Sequence, residues 1–310
     1  MTTPVPTTSA RTAGDVTSAP ATAPPPGGTS TRGAASRQPS TASRSGTGRA
    51  WLLAIPVPIV LLILWTLGVQ GEWILPFGIK MAFLPTPMDV GARLWDFAFG
   101  GVMNDAFSGT LWAHLWASTL RVLQGFGLAT ALAVPLGVVM GRSKTVFRML
   151  EPTINLIRPI PVTAWAPLTL LIIGFGDRST VFLVFLAAFF PLLLNTITGV
   201  QQVPERLLEA SSMLGTPTSQ ALYKVVLPAA IPSIVSGMRV ALGLAWVILV
   251  VGETVGITTG LGAAITQAQE QSRTDLIIAG MIVIGLAGFA ADRLLTLAVR
   301  LVVGRRPLAT

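Results

Sequence analysis

The chain has 310 residues, 52% of them hydrophobic and 11% charged, with a formal net charge of +8, no cysteine and one histidine. So apolar and charge-poor a composition excludes a soluble globular protein and points to an integral membrane protein. Without cysteine there is no disulfide framework and no thiolate metal site, and a lone His114 makes no histidine cluster, so no metal is expected.

In chain order, residues 1–49 are mostly Thr, Ser, Ala, Pro, Gly and Arg, with one acidic residue, Asp15, and no large aliphatic run. Such a segment cannot bury enough apolar surface to offset its ordering entropy, and a disordered tail is expected. The stretch WLLAIPVPIVLLILWTLGV, from Trp51 to Val69, comes after Arg44 and Arg49. It is long enough for a full span, and the QGEW after it is a poor cleavage site, so it reads as an uncleaved anchor rather than a secretory signal. A long outer segment, 70–115, comes next, with amphipathic pieces such as VGARLWDFAF and several tryptophans suited to the membrane interface.

Further spans are expected at about 122–140, 155–174, 180–199, 233–255 and 277–301. Residues 50–310 then form one six-helix, all-α transmembrane domain with both termini in the cytoplasm. On this topology 13 of the 21 Lys and Arg lie on the inner side. That asymmetry accounts for the net charge by membrane orientation, with no nucleic-acid partner. Small residues recur every fourth position at Gly125, Ala129, Ala133 and Gly137, and again at Ser233, Gly237, Ala241 and Ala245. Such stripes let helix backbones approach closely, so these two helices are expected in the packed core. The first span, rich in Leu and Ile, is expected at the lipid-facing periphery.

Between the fourth and fifth spans lies LEASSMLGTPTSQALYKVVLP, Leu208–Pro228, with short helical pieces in a polar setting. From Pro204, residues Leu207, Ala210, Ser211 and Leu214 fall on one apolar-to-small face opposite Glu205, Glu209 and Ser212. Gly215 is expected to cap this helix, and Thr216-Pro217 to start a second one that runs into Leu227-Pro228. A short inner helix of this kind is an interfacial helix, a plain connection or a docking knob for a soluble partner. Its acidic polar face argues against lipid.

Glu209-Ala210-Ser211, then Gly215, then Val225, then Leu227-Pro228 resembles the EAA loop, E-A-A-x3-G-x9-I-x-L-P, of the permease subunits of bacterial ABC importers. Ser211 and Val225 depart from that pattern conservatively. RPIPVTAWAPL (Arg158–Leu168), FFPLLLNTITG (Phe189–Gly199) and GMRVALGLAWVILVVGE (Gly237–Glu253) are similar to the nitrate, sulfonate and taurine branch, over roughly 80–300. The resemblance implies a type I importer permease in the plasma membrane, pairing as a homodimer. It implies delivery of a small, anionic, sulfonate-, nitrate- or taurine-like solute by an extracytoplasmic binding protein, and alternating access driven by a separate ATPase. Residues 203–228 are then the coupling loop, with Glu209, Ala210, Ser211, Gly215, Leu227 and Pro228 as its residues.

No G-x-x-x-x-G-K-[ST] motif occurs, so ATP is expected to be bound by the partner subunit and this chain to hold no cofactor and to be no enzyme. Charges within spans are costly and are functional candidates. Arg239 and Asp292 lie at similar depth and either pair, or Arg239 serves a pathway for anions, or it snorkels to the surface. Glu253, near the outer end of the fifth span, either closes a gate with Arg178 or Arg273 or is a solvated helix end. Trp246 lines a pathway or packs in the bundle. An ion-coupled secondary transporter would show inverted repeats, which the sequence lacks. A mere anchor would not need the small residues of a tightly packed core. Branch resemblance leaves the substrate itself open.

Overall fold

The computed structural model describes residues 56–303, which are nearly all helical. The expected disordered tail at 1–49, and residues 51–55 of the expected first span, lie outside the described residues. Helix α1 (Pro56–Gln70) has only Gly68 buried, so its Val, Ile and Leu side chains are exposed along most of its length. A two-residue-per-strand hairpin, β1 (Ile74–Leu75) with β2 (Ile79–Lys80), leads to α2 (Pro87–Phe99). Thr86 caps α2 reciprocally with Asp89, and Pro87 occupies the first turn, where its missing N–H costs nothing.

The bundle proper consists of α3 (Leu111–Arg142), α4 (Lys144–Ile157), α5 (Val162–Ile173), α6 (Asp177–Gln201), α7 (Glu205–Met213), α8 (Thr218–Ala221), α9 (Leu227–Glu253), α10 (Leu261–Glu270) and α11 (Thr274–Val303). A π-helical turn, Leu222–Val226, joins α8 to α9, making one continuous helix over Thr218–Glu253. Among the described residues, four helices are long and apolar enough to cross a membrane: α3, α6, the α8–α9 helix and α11.

The expected third span, 155–174, is not one helix. α4 stops at Ile157 and α5 starts at Val162, with the axes bent by 90°. The intervening Arg158-Pro159-Ile160-Pro161 explains the break: Arg158 is still helical, but neither proline has an N–H to continue the hydrogen-bond ladder, and Pro161 is already extended at φ −56° and ψ 134°. The pair still returns the chain across the bundle. Gly125 lies against Val181 and Val184, Gly137 against Leu193 and Thr196, and Gly141 against Ile197 and Val200, so α3 and α6 run parallel. Two consecutive parallel spans require a recrossing between them, and only α4 and α5 lie there. α9 runs antiparallel to α6, since Gly199 meets Ser233 and Ala230, Gly237 meets Asn195, and Gly252 meets Thr180.

α6 is therefore the central helix, clasped by α3 on one side and α9 on the other. A Cβ added at Gly125 would lie 2.6 Å from Val184 Cγ1, at Gly137 2.7 Å from Thr196 Cβ, and at Gly237 2.5 Å from Asn195 Cβ. Backbones this close gain dispersion contacts that a larger residue would forfeit. Both small-residue stripes thus face the core, where Ala129, Ala133, Ala241 and Ala245 are fully buried beside Val184, Ala188, Leu192 and Leu193. Ser233 Oγ donates to Asn195 O at 2.9 Å and Thr180 Oγ1 to Gly252 O at 2.9 Å, tying α9 to α6 at both ends.

Candidate functional site

At the 203–228 segment, Pro204 is the N-cap of α7, and Gly215, with φ of +71°, succeeds its C-cap, Leu214. The Gly215 N–H donates to Ser212 O at 2.9 Å and the Thr216 N–H to Ser211 O at 3.0 Å, the two reverse hydrogen bonds of a Schellman ending. A side chain at Gly215 would meet open space but would strain the left-handed backbone. The second helix begins one residue later than expected, at Thr218 with Pro217 as its N-cap. It is also not a separate piece of about ten residues but the start of the α8–α9 helix. Pro228 supplies the reason for the π turn: it has no N–H for the fourth residue back, and the chain widens just before it, where the Leu227 N–H donates to Leu222 O.

The outward face of α7 differs from the expected one. Ser211 is buried, its hydroxyl donating to Leu208 O at 2.8 Å, and Val203, half-buried Leu208, Ala221 and Val226 seat the segment on the bundle. Ser211 thus packs inward and does not share a docking face with Ala210. Leu207, Ala210 and Leu214, spaced i, i+3 and i+7, are exposed together with Met213, which is 86% accessible. Glu205 and Glu209 are exposed and make no ion pair among the described residues. The result is an apolar strip edged by carboxylates.

The intramembrane charges fall into two groups. Arg239 on α9 and Asp292 on α11 form a two-pronged ion pair, with Nε to Oδ1 at 2.7 Å and Nη2 to Oδ2 at 2.9 Å. The pair is not enclosed: the Arg239 side chain is 52% and that of Asp292 28% accessible. It sits in the wall of a groove of about 650 Å³ between α9 and α11, otherwise lined by Gly243, Trp246, Val247, Gly285, Gly288, Phe289 and neighbouring aliphatic residues. Trp246 itself is 4% accessible and packs in the bundle at that wall, and its indole N–H has no acceptor among the described residues.

Glu253 is neither solvated nor paired with Arg178 or Arg273. It is fully buried at the end of α9, where it accepts from Arg121 Nη1 at 2.5 Å, from Ser118 Oγ at 2.7 Å and from the Gly262 N–H at 2.8 Å. Arg121 turns its other edge to Asp177, with Nη2 to Oδ1 at 2.7 Å. This network joins the ends of α3, α6, α9 and α10. Arg273 instead meets Asp105 at 2.5 Å, beside Arg93, which is 1% accessible and bonds Asp105 at 2.6 Å and Asp275 at 2.7 Å. Burial alone would raise the Asp105 pKa, but hydrogen bonds from Arg93, the Phe107 N–H and Arg273 outweigh it and hold it at about 2. α2 therefore buries Arg93 and Asp96 on the same side as Val90 and Phe97, and exposes Trp95 and Phe99.

These features agree with the known proteins the chain is similar to. The taurine transport system permease protein of Escherichia coli K12 is 36% identical over 240 residues, covering 77% of this chain and 84% of that protein. The nitrate import permease protein of Synechocystis sp. PCC 6803 is 32% identical over 249 residues, covering 79% and 86%. A chain of the MetNI methionine ABC transporter, solved in an inward-facing conformation, shares the fold with a TM-score of 0.50 at 21% identity, covering 63% of this chain and 98% of that one. The model of the binding-protein-dependent transport system inner membrane component family matches residues 133–306. The chain belongs to that family: it is a multi-pass membrane permease subunit of an ABC importer, served by a binding protein and driven by a separate ATPase.

Proposed function

We propose that this permease carries a small oxoanion of the sulfonate, nitrate or taurine class, works as a pair of identical copies, and takes its drive through α7. One observation carries the reading: Arg239 is half-exposed and Asp292 partly exposed on a face of two membrane-crossing helices. Hydrocarbon does not tolerate such a face, so it is covered by another protein surface or borders water. Gly243 and Gly285 on the same face have nothing within 4 Å of an added Cβ, which leaves room for a second backbone to approach. A second copy facing the first there would enclose a path between them, with Trp246 and the Arg239–Asp292 pair in its wall. Glu253, sealed inside its own bundle, holds that wall together rather than contacting solute.

The exposed strip of Leu207, Ala210, Met213 and Leu214 supports docking of the ATPase at α7, with Glu209 on its polar edge, Gly215 fixing the turn and Leu227-Pro228 joining the strip to the span. α7, the tail and both termini then lie in the cytoplasm, as the many Lys and Arg of the inner connections require. The exposed side of α1 and the exposed Trp73, Trp95, Trp112 and Trp116 are its lipid-contacting surface. The anionic class is supported by the nitrate and taurine relatives and by a groove that offers a guanidinium.

Two measurements test this. Vesicles holding the permease, its ATPase and its binding protein should accumulate radiolabelled taurine or nitrate on ATP addition and ignore neutral solutes of similar size. Because the chain has no cysteine, a single Val247→Cys on the groove face should cross-link copy to copy with a short bis-maleimide, while Leu62→Cys on α1 should not. Cross-linking at Leu62 but not at Val247 would overturn the pairing face.

A further inference from the structure

Of the five N–H bonds of a guanidinium, the Asp292 carboxylate uses only two on Arg239, those on Nε and Nη2. The three others, two on Nη1 and one on Nη2, have no acceptor among the described residues, and the side chain is half-exposed to the groove. Arg239 therefore presents a second, unused fork beside the one that Asp292 holds. A fork of that geometry fits two oxygens of a planar or tetrahedral oxoanion.

The charge count around the fork adds to this. Asp292 cancels Arg239, and the next residue on α11, Arg293, stacks its guanidinium over the Phe289 ring at 4.9 Å from the centroid, at the edge of the same groove. The wall's own charges cancel, and Arg293, behind the lining Phe289, leaves a local sum of one positive charge beside an otherwise apolar wall. The free polar hydrogens of that wall are the unused N–H bonds of Arg239, all donors, while the Trp246 indole N–H two helical turns further along α9 is buried behind it. Asp292, the one acceptor side chain there, is already occupied. A donor-only wall with a small positive excess admits an anion and repels a cation, while the neutralising carboxylate keeps the anion from being held tightly. Conduction needs both properties, since a site must bind well enough to be entered and weakly enough to be left.

We propose that Arg239 is a transient oxoanion contact on the path through the permease, and that Asp292 sets its affinity low by holding one edge of the guanidinium and leaving the other free. This rests on the anionic substrate class proposed above and assigns the residues that would meet that substrate.

The test uses the permease–ATPase complex, in lipid nanodiscs for anion binding and in vesicles with its binding protein added for turnover, with taurine and nitrate as probes. Asp292→Asn keeps the shape and a hydrogen bond but removes the cancelling charge. It should bind the probe anion at least tenfold more tightly and turn over more slowly at saturating anion. Arg239→Gln should lose both binding and transport. Arg239→Lys keeps the ion pair without the fork, so it should assemble normally yet bind the anions several-fold more weakly. That variant decides the matter if Asp292→Asn fails to assemble. Unchanged anion affinity in both Asp292→Asn and Arg239→Lys overturns the proposal, as does full recovery of anion binding and turnover in the charge-swapped Arg239→Asp/Asp292→Arg double variant, which would make the pair a plain clip between helices. If the parental complex imports neutral solutes and no anion, the substrate class fails instead, an outcome visible before any variant is made.

Discussion

Removing the Glu253 carboxylate should loosen the whole end of the bundle at which α9 stops. In Glu253→Ala the Ser118 hydroxyl, the Gly262 N–H and one Arg121 N–H lose their acceptor at a site with 0% accessibility. Breaking a buried, hydrogen-bonded pair by deleting one partner costs roughly 3–5 kcal/mol. Arg121 keeps Asp177, at 3.0 Å from Nε and 2.7 Å from Nη2, so its charge is not stranded and the low end, about 3 kcal/mol, applies. Glu253→Gln retains one oxygen for Arg121 but presents an NH2 group where a second acceptor stood, for a loss of about 1–2 kcal/mol. Removing both charges, as in Arg121→Met with Glu253→Leu, should recover part of the loss, because the two sites are directly coupled. Unfolding by SDS titration in mixed micelles, followed by far-ultraviolet circular dichroism, reads all three. A Glu253→Ala protein within about 0.5 kcal/mol of the parent would refute the argument that this buried network holds α3, α6, α9 and α10 together.

In the segment at α7, Ala210→Trp and Gly215→Val should insert normally but weaken ATPase co-purification or uncouple hydrolysis from uptake, whereas Ser211→Trp should instead lower folding yield, because Ser211 packs inward. Gly137→Leu should cost assembly outright, since even a Cβ there lies 2.7 Å from Thr196 Cβ, and expression in detergent extracts measures it. For Asp105 the folded carboxyl, at about 2, lies below its unfolded value, so its contribution is complete above about pH 4 and is lost as pH falls toward 2. Asp105→Asn should flatten acid destabilisation over that window in melts of the purified protein.

The bundle was legible because its physics is periodic. Small residues at every fourth position mark the two backbones that approach α6, and apolar runs bounded by charge mark the spans. Carrying the same stripes further would have found the buried network as well. Four residues before Gly125 stands Arg121, and four residues after Leu249, itself four beyond Ala245, stands Glu253, so each stripe ends in the charge that pairs with the other. Glu253 falls inside its expected span, but Arg121 stands one residue before the expected span at 122–140, and nothing local to either residue marks the other as its partner. Arg93 was hidden as well. Its three partners, Asp96, Asp105 and Asp275, come from one helix, a loop and a helix 182 residues away, and no local pattern carries that. The break between α4 and α5 was present in Arg-Pro-Ile-Pro, but hydropathy averaged over a window does not register a missing N–H.

The placement of α7 gains meaning from what it is joined to. Gly215 closes α7 onto α8, and from Thr218 the chain is helical to Glu253, 36 residues, or about 54 Å at 1.5 Å per residue. A displacement of the apolar strip at Leu207, Ala210 and Leu214 is therefore delivered to one end of a rod. Along that rod Gly237 and Gly252 lie against α6 at distances that admit no Cβ, and Glu253 locks the far end to Arg121 of α3. A rod so fixed cannot slide past its neighbours by small steps without clashes, because close-packed interiors resist continuous deformation. α3, α6 and α9 must then respond as one body, and the compliance lies at the π turn Leu222–Val226, where the helix is already widened ahead of Pro228. On the proposed pairing, opening and closing of a path beside Arg239 would be a matter of moving whole blocks against each other, with the groove face of α9 and α11 as the surface that parts.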